Sequence, residues 1–237
     1  MAPVSEITQS TDVATGETTN EAVILPYTPD KEYFIDSVGE VPKKPFYMFF
    51  KRLFDASVCG VALLILSPIL LAIVITIKIV SPGPVLYIQE RLGLNGKIIR
   101  VPKFRSMRTD AEQAGAQWSE GDEDERIYPF GRILRKSRLD ELPQLWCCVI
   151  GTMSLVGPRP ERKCFADAFE TYIHGFSERL KVPPGITGWA QVNGGYDLKP
   201  EEKIVYDVEY IKKRSFWFDL KIMFRTVSII FTHEGAK

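Results

Sequence analysis

The sequence has little histidine and no cysteine pattern suited to a metal. His174 and His233 are its two histidines, and its four cysteines fall in no metal-ligand spacing. Two of them, Cys147 and Cys148, are adjacent, a geometry that does not easily form a structural disulfide. Two histidines give little basis for histidine-based catalysis or a histidine-rich metal site, so we expect carboxylates to carry any acid-base or nucleophilic chemistry.

Several common signatures are also missing. The chain contains neither a G-x-G-x-x-G string nor a P-loop lysine, which removes the main support for a Rossmann or ATPase reading. No internal repeat is apparent. The first apolar run lies far from the N-terminus, with no small-residue cleavage pattern after it, so we expect no signal peptide. The functional part should then face the cytoplasm, with reduced cysteines.

The charge balance is even overall but uneven along the chain. The 30 basic and 30 acidic residues include eight acids and one base within residues 1–42. This composition predicts an acidic, disordered tail over residues 1–45. The remainder holds 29 bases and 22 acids, a surplus that suits anionic lipid or phosphate as a partner and gives no reason to expect nucleic acid.

A long apolar run predicts a membrane segment. Ala56 to Ile77 comprises 22 residues without a charge, which as a helix would cover about 33 Å and match a bilayer core. Ser67-Pro68 lies near its middle, where proline removes a backbone hydrogen bond. Basic residues flank both ends, so the positive-inside rule selects no orientation. A kinked span, which the residues alone favour, and a helix that re-enters on the same face both remain open.

The rest of the chain alternates short strands and helices. Strands are predicted at Val85–Ile88 and Lys97–Phe104, and helical spacing occurs over Ile133–Ile150 and Phe165–Leu180. Ser215–Phe231 combines aromatic residues with bases. That helix could lie in the headgroup plane or close the core of the domain.

The most informative carboxylates are Asp140 and Glu141, within an arginine-rich string. Adjacent side chains on a helix diverge by about 100°, so the two should have different roles. Pro143 is tolerated in a first helical turn, which predicts a helix beginning near the pair. One carboxylate could attack phosphorus while the other holds a divalent ion. A solvated salt-bridge face is the alternative.

Two basic clusters could bind phosphate. Lys103 and Arg105 follow a predicted strand, and Arg159 lies between two prolines. Forked arginine donors fit phosphate oxygens, although each of these bases could equally be an ordinary surface residue. The acidic triplet Asp122–Asp124 is a competing motif, of the kind that metal-dependent glycosyltransferases use. A solvated loop is the simpler interpretation of that triplet.

Taken in order, these strings resemble the bacterial sugar transferase family, the monotopic phosphoglycosyl transferases. The resemblance covers about residues 46 to 231. It rests on eight motifs: Lys51-Arg52-Leu53-Phe54-Asp55, Ser67-Pro68, Gly83-Pro84-Val85, Gln89-Glu90-Arg91 with Gly93, Lys103-Phe104-Arg105-Ser106-Met107, Leu139-Asp140-Glu141-Leu142-Pro143-Gln144-Leu145, Gly157-Pro158-Arg159-Pro160 and Pro184-Gly185-Ile186-Thr187-Gly188-Trp189.

For the chain after the acidic tail, the resemblance implies a helix-rich α/β architecture in two parts. Residues 46–80 would form a re-entrant membrane helix broken at Ser67 and Pro68. Residues 81–237 would form a small catalytic domain on the cytoplasmic face of the bacterial inner membrane, with an interfacial C-terminal helix. A homo-oligomer is possible.

The resemblance also implies a mechanism. Asp140 would attack the sugar-linked phosphorus of a UDP-sugar, release UMP and pass the phosphosugar to polyprenyl phosphate, as the priming step of exopolysaccharide or glycoconjugate synthesis. Glu141 would hold Mg²⁺, and the phosphate-binding residues would be Arg135, Arg159, Lys103 and Arg105. The alternatives are a metal-dependent glycosyltransferase that releases UDP and a non-catalytic adaptor that binds anionic lipid.

Overall fold

The computed structural model describes residues 10–11, 18–19, 29, 31–111, 124–194 and 198–232, with side chains to residue 229. The helices are α1 (Pro45–Val80), α2 (Pro129–Lys136), α3 (Leu145–Ile150), α4 (Lys163–Glu170), α5 (Trp189–Gly194), α6 (Pro200–Lys213) and α7 (Phe216–Thr232). The strands are β1 (Ser10–Thr11), β2 (Thr18–Thr19), β3 (Tyr33–Phe34), β4 (Leu86–Leu92), β5 (Ile98–Phe104), β6 (Ser154–Val156), β7 (Ile173–His174) and β8 (Gly185–Thr187).

The helix-rich mixed architecture is confirmed. In the described part of the chain, however, the strands form four separate two-stranded pairs and no common sheet. The longest pair is the antiparallel hairpin β4–β5, which matches the two predicted strands and places Lys103 opposite Tyr87. The parallel pair β6–β8 joins Ser154 to Gly185 and Val156 to Thr187. Strand β5 carries Lys103 and the loop after β6 carries Arg159, two residues of the site described below.

Helix α1 runs through Ser67-Pro68 without interruption. Pro68 has no N–H to give to the carbonyl of Leu64, four residues earlier. The hydroxyl of Ser67 donates to that carbonyl instead, at 2.7 Å. Ser67-Pro68 thus interrupts the backbone hydrogen bonds of α1 at one position, although helical structure continues over all 36 residues.

The two ends of α1 pack on the domain, and its middle does not. Near its start, Lys51, Asp55 and Cys59 are buried; near its end, Ile73 and Ile77 are buried. Of the helices described, α1 is the one long and apolar enough to cross a membrane, and only 11% of its most apolar 18-residue stretch is buried. The central surface of α1 therefore remains open to an apolar environment.

A buried polar network attaches the start of α1 to α7. The Lys51 ammonium contacts Asp219 Oδ2 at 2.8 Å. The Tyr47 hydroxyl donates to the same oxygen at 2.7 Å, and the Tyr210 hydroxyl donates to Oδ1 at 2.9 Å. Both oxygens of a buried carboxylate are thus satisfied, as burial of a charge requires.

Residues 31–44 differ from the expected tail because they are attached to the domain. Strand β3 pairs in parallel with β7, and the Val38 amide donates to Glu178 at 2.7 Å. Tyr33, Ile35 and Val38 pack against the core formed around α4. We call residues 31–44 the strap. The residues that precede it lie largely outside the described part of the chain.

The predicted helix over Phe165–Leu180 is interrupted. Helix α4 ends at Glu170, and a 3-10 helix covers Phe176–Lys181. Between them, Gly175 adopts φ 96°, a left-handed conformation that favours glycine. The chain reverses there and points Arg179 into the domain.

Helix α7 has one buried face and one exposed face. Asp219 and Ile222 are buried, whereas Trp217 is 78% and Phe224 is 74% exposed. The helix therefore closes part of the core and also presents large apolar side chains outward.

Candidate active site

Asp140 and Glu141 lie on a short 3-10 helix, Leu139–Gln144, between α2 and α3. The chain enters it through Arg138, whose φ of 59° is left-handed and unusual for a residue other than glycine. Pro143 fits there because it sits just before α3 begins, as its position predicts. The tight turn directs the pair inward: Asp140 is 8% exposed.

Glu141 is the centre of an ion cluster. Its Oε1 accepts from the Lys103 ammonium at 3.2 Å and from the Arg159 guanidinium. Its Oε2 accepts a second hydrogen bond from Arg159 at 3.2 Å. Lys103 comes from β5 and Arg159 from the loop after β6, so the fold brings three distant parts of the sequence together.

The two neighbouring carboxyls have opposite pKa shifts. Burial, and next the charge of Glu141, raises the pKa of Asp140 to about 6, against the lowering effect of Lys103, Arg135 and Arg159. Burial would also raise the pKa of Glu141, but Arg159 and Lys103 outweigh it and hold that pKa well below its ordinary value. Adjacent carboxyls whose environments separate their pKa values are typical of catalytic pairs.

Burial lowers the pKa of the Lys103 ammonium, and the charge of Glu141 opposes that shift. The site thus joins a carboxyl that titrates near pH 6 to a cluster of cations. Such a cluster can hold a diphosphate and offer a carboxylate to it.

Close backbone contacts place the loop that carries Arg159. A Cβ on Gly185 would lie 2.1 Å from the Gly157 nitrogen, so only glycine allows the two backbones to approach this closely. The approach lets the Gly185 amide donate to the Pro158 carbonyl at 2.9 Å. The glycines of the predicted motifs therefore serve to position the arginine.

The other two predicted phosphate-binding residues, Arg135 and Arg105, lie in different surroundings. Arg135, in the last turn of α2, acts electrostatically on Asp140 and so belongs to the site. The Arg105 guanidinium donates to the backbone carbonyls of Pro82, at 3.3 Å, and Ser81, so in this structure it fixes the turn after α1. A buried guanidinium near a strand end looks the same in sequence whether it serves phosphate or a turn.

The acidic triplet gains no support as a metal site. Asp122 and Glu123 lie outside the described residues. Asp124 is 3% exposed, and the Arg126 guanidinium donates to its Oδ1 at 2.8 Å. That hydrogen bond lowers the pKa of Asp124 and ties it to its own loop.

Sequence reasoning missed three arginines that support the site. Arg138 makes the left-handed turn before Asp140, and Arg91 and Arg179 donate to carbonyls of the loop that carries Arg159. Arg91 belongs to one of the sequence motifs, but the motif does not indicate that it donates to the Pro160 carbonyl. Hydrogen bonds to a distant backbone leave no signal in local sequence.

The site suits a divalent ion only when phosphate shares it. Within the described ranges, no three His, Cys, Asp or Glu side chains come together. Mg²⁺ commonly binds through one or two carboxylates completed by substrate phosphates and water. Glu141 meets that requirement, provided that a cation moves off one of its oxygens.

Comparison with known protein families identifies the group of proteins to which this arrangement of residues belongs. Residues 46–233 match the family described as bacterial sugar transferase. The chain belongs to that family. The match begins after the strap, so residues 31–44 lie outside the family region. It includes every residue of the ion cluster around Glu141.

Among relatives of this sugar transferase is a UDP-N-acetylgalactosamine-undecaprenyl-phosphate N-acetylgalactosaminephosphotransferase of Aeromonas hydrophila. It is 42% identical over 205 residues, covering 85% of this chain and 48% of the relative. A UDP-glucose:undecaprenyl-phosphate glucose-1-phosphate transferase of Escherichia coli is 39% identical over 216 residues, covering 85% and 46%. The chain thus spans about half the length of these relatives. One with the same name in Caulobacter vibrioides is 39% identical over 193 residues, covering 78% of this chain and 71% of the relative.

Proposed function

We propose that this sugar transferase moves a sugar-1-phosphate from a UDP-sugar to undecaprenyl phosphate and releases UMP, as the priming step of exopolysaccharide or glycoconjugate synthesis. One observation carries the proposal. A buried carboxyl, Asp140, adjoins an ion cluster of Glu141, Lys103 and Arg159 in a domain packed on a long, exposed apolar helix. Relatives named for this activity with two different sugars support it.

The phosphosugar is transferred in two steps, first to Asp140 and then to undecaprenyl phosphate. A carboxylate oxygen of Asp140 attacks the sugar-linked phosphorus; an O–P bond forms, and the bond to the bridging oxygen breaks. UMP leaves with that electron pair. An oxygen of undecaprenyl phosphate then attacks the same phosphorus, and Asp140 leaves as a carboxylate. The product is a polyprenyl diphosphate sugar.

The chain's own cations prepare this reaction. Lys103 and Arg159 can transfer contacts from Glu141 to diphosphate oxygens, and Arg135 adds positive charge beside Asp140. The pKa of Asp140, about 6, leaves it mostly ionised at neutral pH while keeping it more basic than an ordinary aspartate. Mg²⁺ bound by Glu141 and the diphosphate would neutralise charge that develops on the leaving phosphate.

The packing of α1 supports a re-entrant topology. Lys51 and Ile77 are 26 residues apart, about 39 Å along a helix, and both pack on the same domain. A helix that crossed the bilayer core of about 30 Å would place its two ends on opposite sides. One domain could not then contact both. The helix would instead bend where Pro68 lacks a backbone hydrogen bond and leave the membrane on the side it entered, which keeps the domain on the cytoplasmic face of the inner membrane.

The exposed aromatic face of α7 fits the same membrane surface. Trp217 and Phe224 could dip into the interface. A domain fixed at that depth meets the lipid phosphate, which is confined to the same plane. Positioning then contributes much of the rate.

Product analysis tests the proposed function. The purified full chain is mixed with undecaprenyl phosphate, Mg²⁺ and either UDP-glucose or UDP-N-acetylgalactosamine. We expect UMP to form in step with a lipid-linked diphosphate sugar. Release of UDP would instead support a glycosyltransferase, and absence of any turnover with a panel of UDP-sugars would support the lipid-binding adaptor.

A further inference from the structure

The guanidinium of Arg159 depends on a backbone that is fixed through its carbonyls. Arg159 stands between Pro158 and Pro160, and proline has no N–H to give. Three successive carbonyls accept hydrogen bonds instead. Gly185 N donates to Pro158 at 2.9 Å, the Arg179 guanidinium to Arg159 at 2.9 Å, and the Arg91 guanidinium to Pro160 at 3.2 Å.

Arg179 donates to the middle one of these three residues, Arg159, whose side chain contacts Glu141. It lies on the 3-10 helix Phe176–Lys181 and is 5% exposed. The same terminal nitrogen that donates to the Arg159 carbonyl lies 2.8 Å from Asp207 Oδ2 on α6. Its guanidinium also stands over the Phe176 ring, 4.8 Å from the centroid.

A buried ion pair such as Arg179–Asp207 needs a reason beyond stability. Removing two charges from water costs free energy that their attraction does not always recover, and a well-packed apolar pair often serves as well. An apolar pair, however, could not donate to the Arg159 carbonyl. Asp207, 1% exposed, supports the donor to the Arg159 carbonyl, so the Arg179–Asp207 ion pair joins the core of the domain to Glu141 through Arg159.

We propose that Arg179, anchored by Asp207, is a positioning residue for phosphosugar transfer, which aims the Arg159 guanidinium at Glu141 and at the substrate diphosphate. The proposal rests on the proposed function. Among the contacts described, Arg179 touches neither Asp140 nor Glu141. Its effect on the reaction therefore passes through Arg159.

A double-mutant cycle separates this role from general destabilisation. UMP release is measured with UDP-glucose and UDP-N-acetylgalactosamine, on the full chain in detergent with undecaprenyl phosphate, for wild type, Arg159→Lys, Arg179→Lys and the double variant. Arg179→Lys keeps a cation beside Asp207, but its nitrogen sits on a shorter and more flexible side chain and no longer holds the Arg159 carbonyl in place. We expect kcat to fall by about tenfold to 10²-fold, as for a misplaced catalytic contact.

The double variant decides the question. If Arg179 acts through Arg159, its kcat lies within about twofold of Arg159→Lys alone, since the second change removes nothing further. The control is Asp219→Asn, which disturbs the buried Lys51–Asp219 ion pair, whose described hydrogen bonds do not reach residues 158–160; combined with Arg159→Lys, its loss should multiply. Losses that multiply for Arg179→Lys as well would overturn the proposal.

A second variant keeps the test decisive if Arg179→Lys does not fold. Asp207→Asn retains an oxygen beside Arg179 and loosens it more gently, and the same cycle applies. Failure of the wild type to release UMP from either donor would overturn the proposed function and this role with it. An active wild type with independent losses would overturn the positioning role alone.

Discussion

Arg159 holds Glu141 by both carboxylate oxygens, one of them at 3.2 Å. Lys103 contacts the same carboxylate from β5. These cations lower the pKa of Glu141, so it carries a negative charge throughout the physiological range, whereas its neighbour Asp140 titrates near pH 6. The first three predictions follow from this difference in charge state between Glu141 and Asp140.

Asp140→Asn should abolish both UMP release and a covalent phosphosugar adduct, because an amide cannot form the acyl phosphate. The adduct is sought by intact-mass measurement after mixing with UDP-sugar in the absence of acceptor. Asp110→Asn, a change at an exposed carboxyl, serves as the matched control and should still form the adduct. Turnover by Asp140→Asn at the wild-type rate would remove the proposed nucleophile.

The same substitution should stabilise the protein at neutral pH. A buried aspartate with a raised pKa destabilises the fold when it ionises, at about 1.4 kcal/mol per pKa unit, so Asp140→Asn should gain roughly 1–3 kcal/mol. The gain is fully present above about pH 6 and shrinks as pH falls toward 3.8, the ordinary pKa of aspartate. Thermal unfolding of both proteins from pH 4 to 8 measures it; a gain that does not vary with pH would contradict the raised pKa.

Glu141→Gln should weaken the dependence of the rate on Mg²⁺. The neutral amide attracts a divalent ion less, and it also releases Arg159 and Lys103 from their shared partner. When initial rates are measured across a magnesium titration, the Mg²⁺ concentration that gives half of the maximal rate should rise. Glu161→Gln, which alters the carboxylate paired with Arg91, provides the comparison. An unchanged titration for Glu141→Gln would refute its role as a metal ligand.

Pro68→Ala should restore the hydrogen bond from residue 68 to the Leu64 carbonyl and favour a straight helix that spans the bilayer. A cysteine placed before α1 would then react with an impermeant reagent outside the cell. Ile69→Ala changes an exposed position beside it and should leave that cysteine protected. Labelling from outside in the otherwise unchanged chain would refute the re-entrant helix.

The strap should contribute to stability although it lies outside the family region. Ile35→Asp places a charge on the half-buried face that packs near α4 and should cost about 1–2 kcal/mol. Asp36→Asn, at the exposed neighbouring position, should cost little. Denaturant unfolding in detergent compares the two. Equal stability of both variants would mean that the strap is only loosely attached.

The sequence alone indicated the family motifs, the apolar helix, the β4–β5 hairpin and the Asp140–Glu141 pair, because periodicity, proline, glycine and charge act over a few neighbouring residues. It could not show that Arg105 serves a turn or that residues 31–44 attach to the domain, since both depend on carbonyls far along the chain. Tertiary structure also decided the opposite pKa shifts of Asp140 and Glu141. Those shifts come from burial and from cations on three separate elements, which only folding brings within a few ångströms of each other.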